Sequence, residues 1–208
     1  MASASSRTQP LDVPGYVPRE APLVKLVVAG GFGVGKTTLV ASVSEMQSLH
    51  TEQTLTAVSA SVDLLDYTPQ KTTTTVAADF GRLTLDPEDP TAPVIYLFGT
   101  PGQARFQRVW DDVVYGAKGA LLLLDLRRPE ASYEAMDLVE RSGIPYVVAV
   151  NDFPEAPYVK DSALRARLDL GEETPLIHCN ARNPHSSIDA LIQLVEHVMT
   201  TYSRDVAR

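Results

Sequence analysis

Gly30-Gly31-Phe32-Gly33-Val34-Gly35-Lys36-Thr37 fills every fixed position of G-x-x-x-x-G-K-[ST], the phosphate-binding loop. The residue types follow from the task. Glycines let the backbone curl round a phosphate and turn its N–H groups inward, a lysine reaches the outer phosphates, and a Ser or Thr hydroxyl can bind Mg²⁺. A helix that starts at the loop adds the positive end of its dipole. The flanks agree with this. Leu23-Val24-Lys25-Leu26-Val27-Val28-Ala29 is a strand-like run, and Thr38-Leu39-Val40-Ala41-Ser42-Val43 reads as a helix. Gly31, Phe32, Gly33, Val34, Gly35, Lys36, Thr37 and Thr38 are therefore the expected phosphate cradle.

Outward from the loop, strand and helix patterns alternate. Val76–Leu85 and Pro93–Phe98 read as strands joined by Asp86-Pro87-Glu88-Asp89-Pro90, a connection too short for a parallel crossover, so the pair is expected to be antiparallel. Ala120–Leu126 and Tyr146–Val150 are unbroken apolar runs that suit central parallel strands covered on both faces. Leu176–Cys179 is the expected last strand. Pro129 opens a helix ending near Ser142-Gly143. The final helix carries Ile188, Leu191, Ile192, Val195 and Met199 as an expected buried stripe, with Ser186 as its cap. The sum is an α/β fold: a six-stranded, mostly parallel sheet with one antiparallel edge strand and helices on both faces. Ligands in such sheets sit beyond the carboxyl ends of the strands. The Gly30–Thr37 loop, the Gly99–Gln103 segment, Asn151 and Asn180-Ala181-Arg182 all fall at those ends.

The chain has 208 residues, is 44% hydrophobic and carries a net charge of −8. That balance suits one core of ordinary size and argues against broad nucleic-acid binding. A single cysteine, Cys179, permits no internal disulfide, which fits a reducing cytoplasm. No apolar run is long enough to span a bilayer, and neither a secretion signal nor a lipidation motif is evident. Membrane contact is expected only through partners. Residues 1–22, with Pro10, Pro14, Pro18 and Pro22 among small residues, are expected to form an extended arm, and 23–208 the globular domain. His50, His178, His185 and His197 lack metal-ligand spacing.

Phe98-Gly99-Thr100-Pro101-Gly102-Gln103 follows a strand and precedes a helix, in the order and spacing of D-x-x-G-Q. With GGFGVGKTT, KTTTTVAADFGRLTL, the Trp110-Asp111-Asp112 triplet and an Asn-x-Phe loop, the chain resembles the Ras-like GTPase component of actinobacterial conservons, more distantly the MglA-type polarity GTPases. The resemblance covers residues 23–203. It implies a P-loop NTPase G-domain that binds GTP or GDP with Mg²⁺ and acts as a switch. Lys36 then contacts the β- and γ-phosphates, and Thr37 and Thr75 hold the metal. Gly102 donates its N–H to the γ-phosphate, and Gln103 orients the attacking water. Asn151, Phe153, Asn180, Ala181 and Arg182 surround the base, with the Ala181 N–H on the guanine carbonyl. Conservon GTPases also imply a roadblock (longin-type) regulatory protein and further conservon components as partners.

Three positions depart from that pattern. Gly99 stands where an Asp orients Mg²⁺, so weaker metal binding and slow hydrolysis are expected. Phe32 stands where Ras-like proteins carry Gly. The base-reading loop N-K-x-D is Asn151-Asp152-Phe153-Pro154, so Pro154 replaces the Asp that pairs with guanine N1 and N2. A site without its polar partner discriminates less. The alternatives are an interaction module with little turnover and a P-loop ATPase. Among the remaining candidates, Trp110 is read as core, with a partner anchor as the other reading. Arg105 and Arg108 are solvated or supply an arginine in cis, and Asp125 is read as a structural group that orients its loop. The long stretch 49–74 is read as a switch connection with a short helix.

Overall fold

The computed structural model describes residues 21–46, 49–54, 75–86, 88–89, 91–100 and 107–206. Seven strands form one sheet in the order β2-β3-β4-β1-β5-β6-β7. They are β1 (Leu23–Gly30), β2 (Leu49–Thr54), β3 (Thr75–Thr84), β4 (Val94–Gly99), β5 (Gly119–Leu124), β6 (Tyr146–Asn151) and β7 (Leu176–Cys179). The helices are α1 (Lys36–Val43), α2 (Gln107–Val114), α3 (Tyr133–Ser142), α4 (Asp161–Arg167) and α5 (Pro184–Val206). β1, β4, β5, β6 and β7 run parallel, and β3 alone is reversed against that set. This is the expected α/β P-loop NTPase architecture. It carries one strand more than the six expected. β2 pairs antiparallel with β3 and takes the edge, so the reversed strand lies second from the edge. The polar run Leu49-His50-Thr51-Glu52-Gln53-Thr54 has no hydrophobic signature of a strand, and backbone pairing with β3 supplies its order.

Strand alternation divides the core. Leu26 and Val28 of β1 face α1 and α5, where Leu39, Val40, Leu191 and Leu194 are buried. Val27 and Ala29 face the other side, against Trp110 and Val113 of α2, Met136 and Val139 of α3, and Leu164 of α4. Trp110 is thus core, 5% exposed, as read from the sequence. On α5 the sequence stripe is rotated. Ala190, Leu191, Leu194 and Val198 are buried, whereas Ile192 is exposed and Met199 is 65% exposed. Small Ala190 and Ser187 let the helix lie close to the sheet, so the contact line follows them rather than the largest side chains. The helix also begins earlier than expected. Asn183 Oδ1 accepts from the N–H groups of His185 and Ser186, and the Ser186 hydroxyl instead accepts from Asn180 N. α3 follows a 3-10 turn at Pro129–Ser132 and stops at Gly143, whose φ of 69° is left-handed. No helix among the described residues is long and apolar enough to cross a membrane.

Candidate functional site

β1 delivers the chain to the carboxyl edge of the sheet, and α1 starts at Lys36. Between them Gly33 and Gly35 take φ values of 74° and 105°, which side chains rarely adopt. Lys36 folds back over the loop: its Nζ donates to Gly30 O at 2.9 Å and Gly31 O at 2.7 Å. Burial lowers its pKa to about 8, against the opposing pull of Asp79. The Thr37 hydroxyl donates to Asp79 Oδ2 at 2.6 Å. Behind the loop, Gly31 N donates to Ser132 Oγ at 3.1 Å, and Ser132 Oγ donates to Leu123 O at 3.0 Å. The phosphate loop is therefore pinned to β5 through the turn that leads into α3.

Asn151 fastens the other side. Its Nδ2 donates to Val34 O at 2.9 Å, and its Oδ1 accepts from Ala181 N at 3.0 Å. One buried side chain thus joins the phosphate loop, the β6 end and the β7 end. The result is a cavity of about 230 Å³ between Gly33, Gly35 and Thr38, the Asn151–Pro154 segment, and Asn180–Arg182. Phe153 lines it with the Arg127 guanidinium 3.8 Å from its ring centroid. Arg127 is held in turn by Asp125, a fully buried carboxylate that also accepts from Arg127 N. The hydrogen bond from Arg127 holds the Asp125 carboxyl below its ordinary pKa, so it is ionised. Asp125 is the loop-orienting group expected from the sequence. Asp152 turns toward His178, 3.5 Å away, and His178 lies 3.0 Å from Asp161. The hydrogen bond with Asp161 raises the His178 pKa.

The open rim carries a second cation. Arg128 Nη2 donates to Phe32 O at 2.8 Å, and its Nε lies 3.6 Å from Asp125 Oδ2. A Cβ at Gly33 would come within 2.5 Å of Arg128 Nη2, so a side chain there would push the guanidinium aside, and the φ of 74° would strain it as well. Phe32 itself points outward, 65% exposed.

Of the expected site residues, Gly33, Gly35 and Thr38 of the phosphate loop converge with Asn151, Phe153, Asn180, Ala181 and Arg182 on one cleft, whereas Phe32 points away from it and Val34 is buried beneath the loop. Thr75 opens β3 opposite Thr54. Gly102, Gln103 and Arg105 lie outside the described residues, as does the side chain of Arg108. One expected contact is already occupied: the Ala181 N–H assigned to a base carbonyl donates to Asn151. Asp79, Arg128 and Ser132 were not singled out as site residues from the sequence. The Thr37–Asp79 contact spans 42 positions and needs the β3 register, and the Arg128–Phe32 contact spans 96. The Arg127-Arg128-Pro129 break after the apolar run of β5 is the one local signal near Arg128 and Ser132, and it does not by itself mark a site.

The Lys36 environment makes binding pH-dependent. Anionic phosphates favour the ammonium form and raise its pKa above the free value of about 8. Below that pH the lysine is already protonated in both states. Above it, binding must take up a proton, so nucleotide affinity is expected to fall as pH rises past 8, approaching about tenfold per pH unit. Titrations from pH 7 to 9.5 in buffers of different ionisation enthalpy measure both the slope and the proton uptake.

The family described as conserved hypothetical ATP binding protein matches residues 28–201. Uncharacterized protein MJ1339 of Methanocaldococcus jannaschii is 33% identical over 130 residues, 62% of this chain and 69% of that protein. The matched span runs from β1 into α5 and includes the phosphate loop, Asp79, Arg128, Asn151 and Ala181.

Proposed function

The chain belongs to the family of conserved hypothetical ATP binding proteins, and from that premise of nucleotide binding we propose a nucleotide-dependent switch that takes GTP with Mg²⁺ and hydrolyses it slowly. The observation that carries this is the preformed phosphate loop, pinned by Ser132 on one side and by Asn151 on the other. The reversed β3 beside β4 and the Gly99–Gln103 segment support the Ras-like reading.

Lys36 and the backbone N–H groups of residues 33–38 hold the phosphates and stabilise charge on them during transfer. Thr37 and Thr75 are the hydroxyls assigned to Mg²⁺, which neutralises phosphate oxygens when bound. Gln103 orients a water. Its oxygen attacks the γ-phosphorus in line, the bond to the β–γ bridging oxygen breaks, the diphosphate leaves, and the water's proton passes to phosphate or solvent. Arg128 stands at the rim and steadies Phe32 and Gly33. The state of the γ-phosphate is communicated through 75 and 102 to a partner, a roadblock-type protein by the conservon resemblance.

A second reading has its own observations. Pro154 offers no side-chain acceptor for guanine N1 and N2, and the Ala181 N–H is engaged by Asn151. Both weaken guanine selection and favour an ATP-binding form of the same site. Titration with fluorescent GDP and ADP analogues separates the two. Tighter GDP binding supports the first reading, and tighter ADP binding replaces it with the second. Single-turnover phosphate release then tests the switch. Gln103→Ala is expected to slow it about 100-fold, the order associated with a lost transition-state contact. Equal release from wild type and variant would remove the role given to Gln103.

A further inference from the structure

β3 and β4 are antiparallel with Asp79 directly opposite Gly99. Side chains at opposed positions share one face of the sheet. Gly99 is the position at which the D-x-x-G-Q pattern expects a carboxylate, and from the sequence it leaves Mg²⁺ without one. A Cβ placed at Gly99 would lie 2.8 Å from Asp79 Cβ and 2.9 Å from Asp79 Oδ2. The two positions compete for a single volume, and the Asp79 carboxyl fills it. Asp79 is 8% exposed and accepts from the Thr37 hydroxyl at 2.6 Å. It also attracts the Lys36 ammonium. A buried carboxyl group needs polar partners to compensate for lost water. Its partners include the two phosphate-loop side chains whose assigned ligands are Mg²⁺ and phosphate.

Resting on the nucleotide-binding reading, we infer that Asp79 has taken over from the neighbouring strand the metal-holding role that position 99 lacks, and that it helps bind the Mg²⁺ of the nucleotide beside Thr37. The donor set fits that ion. Mg²⁺ is ordinarily held by one or two carboxylates together with phosphates and water, with no all-protein cage. That is consistent with the absence, among the described residues, of any cluster of three acidic, His or Cys ligands. The glycine at 99 is then a condition of the arrangement, because any side chain there displaces the Asp79 carboxyl.

The test is the Mg²⁺ dependence of GDP and ADP binding, with Mn²⁺ affinity of the protein–diphosphate complex read by electron paramagnetic resonance. Asp79→Asn keeps an oxygen for Thr37 and removes the charge. It is expected to weaken metal affinity by about 10- to 100-fold, the range for lost metal-supporting groups, with no comparable loss of binding in EDTA, where removing the carboxylate only lessens repulsion of the phosphates. Thermal melting establishes that the variant is folded. The exchange Asp79→Ala with Gly99→Asp returns a carboxylate from the other strand and is expected to recover metal dependence. It also decides the matter should Asp79→Asn fail to fold. Wild-type Mn²⁺ affinity in folded Asp79→Asn overturns the inference. So does a loss equally large in EDTA, or an exchanged variant that folds yet binds diphosphate without regard to metal. Wild-type protein that binds neither diphosphate would overturn the nucleotide reading as well, and that outcome differs from all of these.

Discussion

Lys36→Ala is expected to weaken triphosphate binding by about 100- to 10,000-fold, since two charge-assisted hydrogen bonds of about 1.5–3 kcal/mol each are lost. The same substitution leaves the free fold nearly untouched. Lys36 is buried, its charged form is disfavoured enough to bring its pKa to about 8, and its present partners are the carbonyls of Gly30 and Gly31. Removing it relieves the burial of an ammonium while taking a donor from two carbonyls, and the two effects oppose each other. Titration calorimetry beside thermal melting separates the terms. Lost binding at an unchanged melting temperature is the expected pair of results. A folded Lys36→Ala protein with wild-type affinity would mean that phosphates are held elsewhere.

The second large effect belongs to Gly31. A Cβ there would sit 2.0 Å from Ala131 O and 2.5 Å from Ala131 C. Both are backbone atoms of the 3-10 turn that Ser132 ties to β5, so the neighbour cannot swing aside as a side chain would. Gly31→Ala is expected to destabilise the protein by about 3 kcal/mol, at the upper end for overpacking, which for a chain of this size lowers the melting temperature by about 6–12 °C. It also moves the Gly31 N–H away from Ser132, so diphosphate affinity falls with stability. Differential scanning calorimetry measures the first and fluorescent-analogue titration the second. Gly116→Ala provides the contrast, because nothing lies within 4 Å of a Cβ there, although its φ of 74° still strains it.

Much of this was legible from residue types alone because the deciding signals are local. Gly30–Thr37 with its flanking strand and helix is a contiguous pattern, and the apolar runs of β5 and β6 announce burial on both faces. The short link between β3 and β4 fixes their antiparallel relation. What the sequence hid depends on register or on close approach. β2 is a polar strand whose order comes from its neighbour, so it reads as connection. The α5 contact line follows the small residues Ser187 and Ala190, and hydrophobicity points one step round the helix. Asn183 caps α5 three residues before the Ser that fits the cap pattern.

The site shows the same division. Position 99 read as a deficit because a sequence shows which side chain is missing and not which neighbour fills the space. The carboxylate of Asp79 becomes visible there only once β3 and β4 are aligned. Likewise Asn151 was legible as the surviving member of N-K-x-D, but its double hydrogen bond to Val34 and Ala181 required three loops to be brought together. The tie gives Asn151 a structural role at the end of β6 that does not depend on reading a base. It holds the phosphate loop in shape whatever base is bound.

The central claim is that a nucleoside triphosphate nests in the loop at residues 30–37. Amide hydrogen exchange of that loop, followed with and without Mg²⁺ and saturating GTPγS or ATPγS, tests it most directly. The N–H groups of residues 33–38 are expected to exchange more slowly with at least one of the two nucleotides, and Lys36→Ala is expected to abolish that protection. Exchange at 33–38 that is identical with and without either nucleotide, at concentrations that saturate any binding seen in solution, would contradict the account.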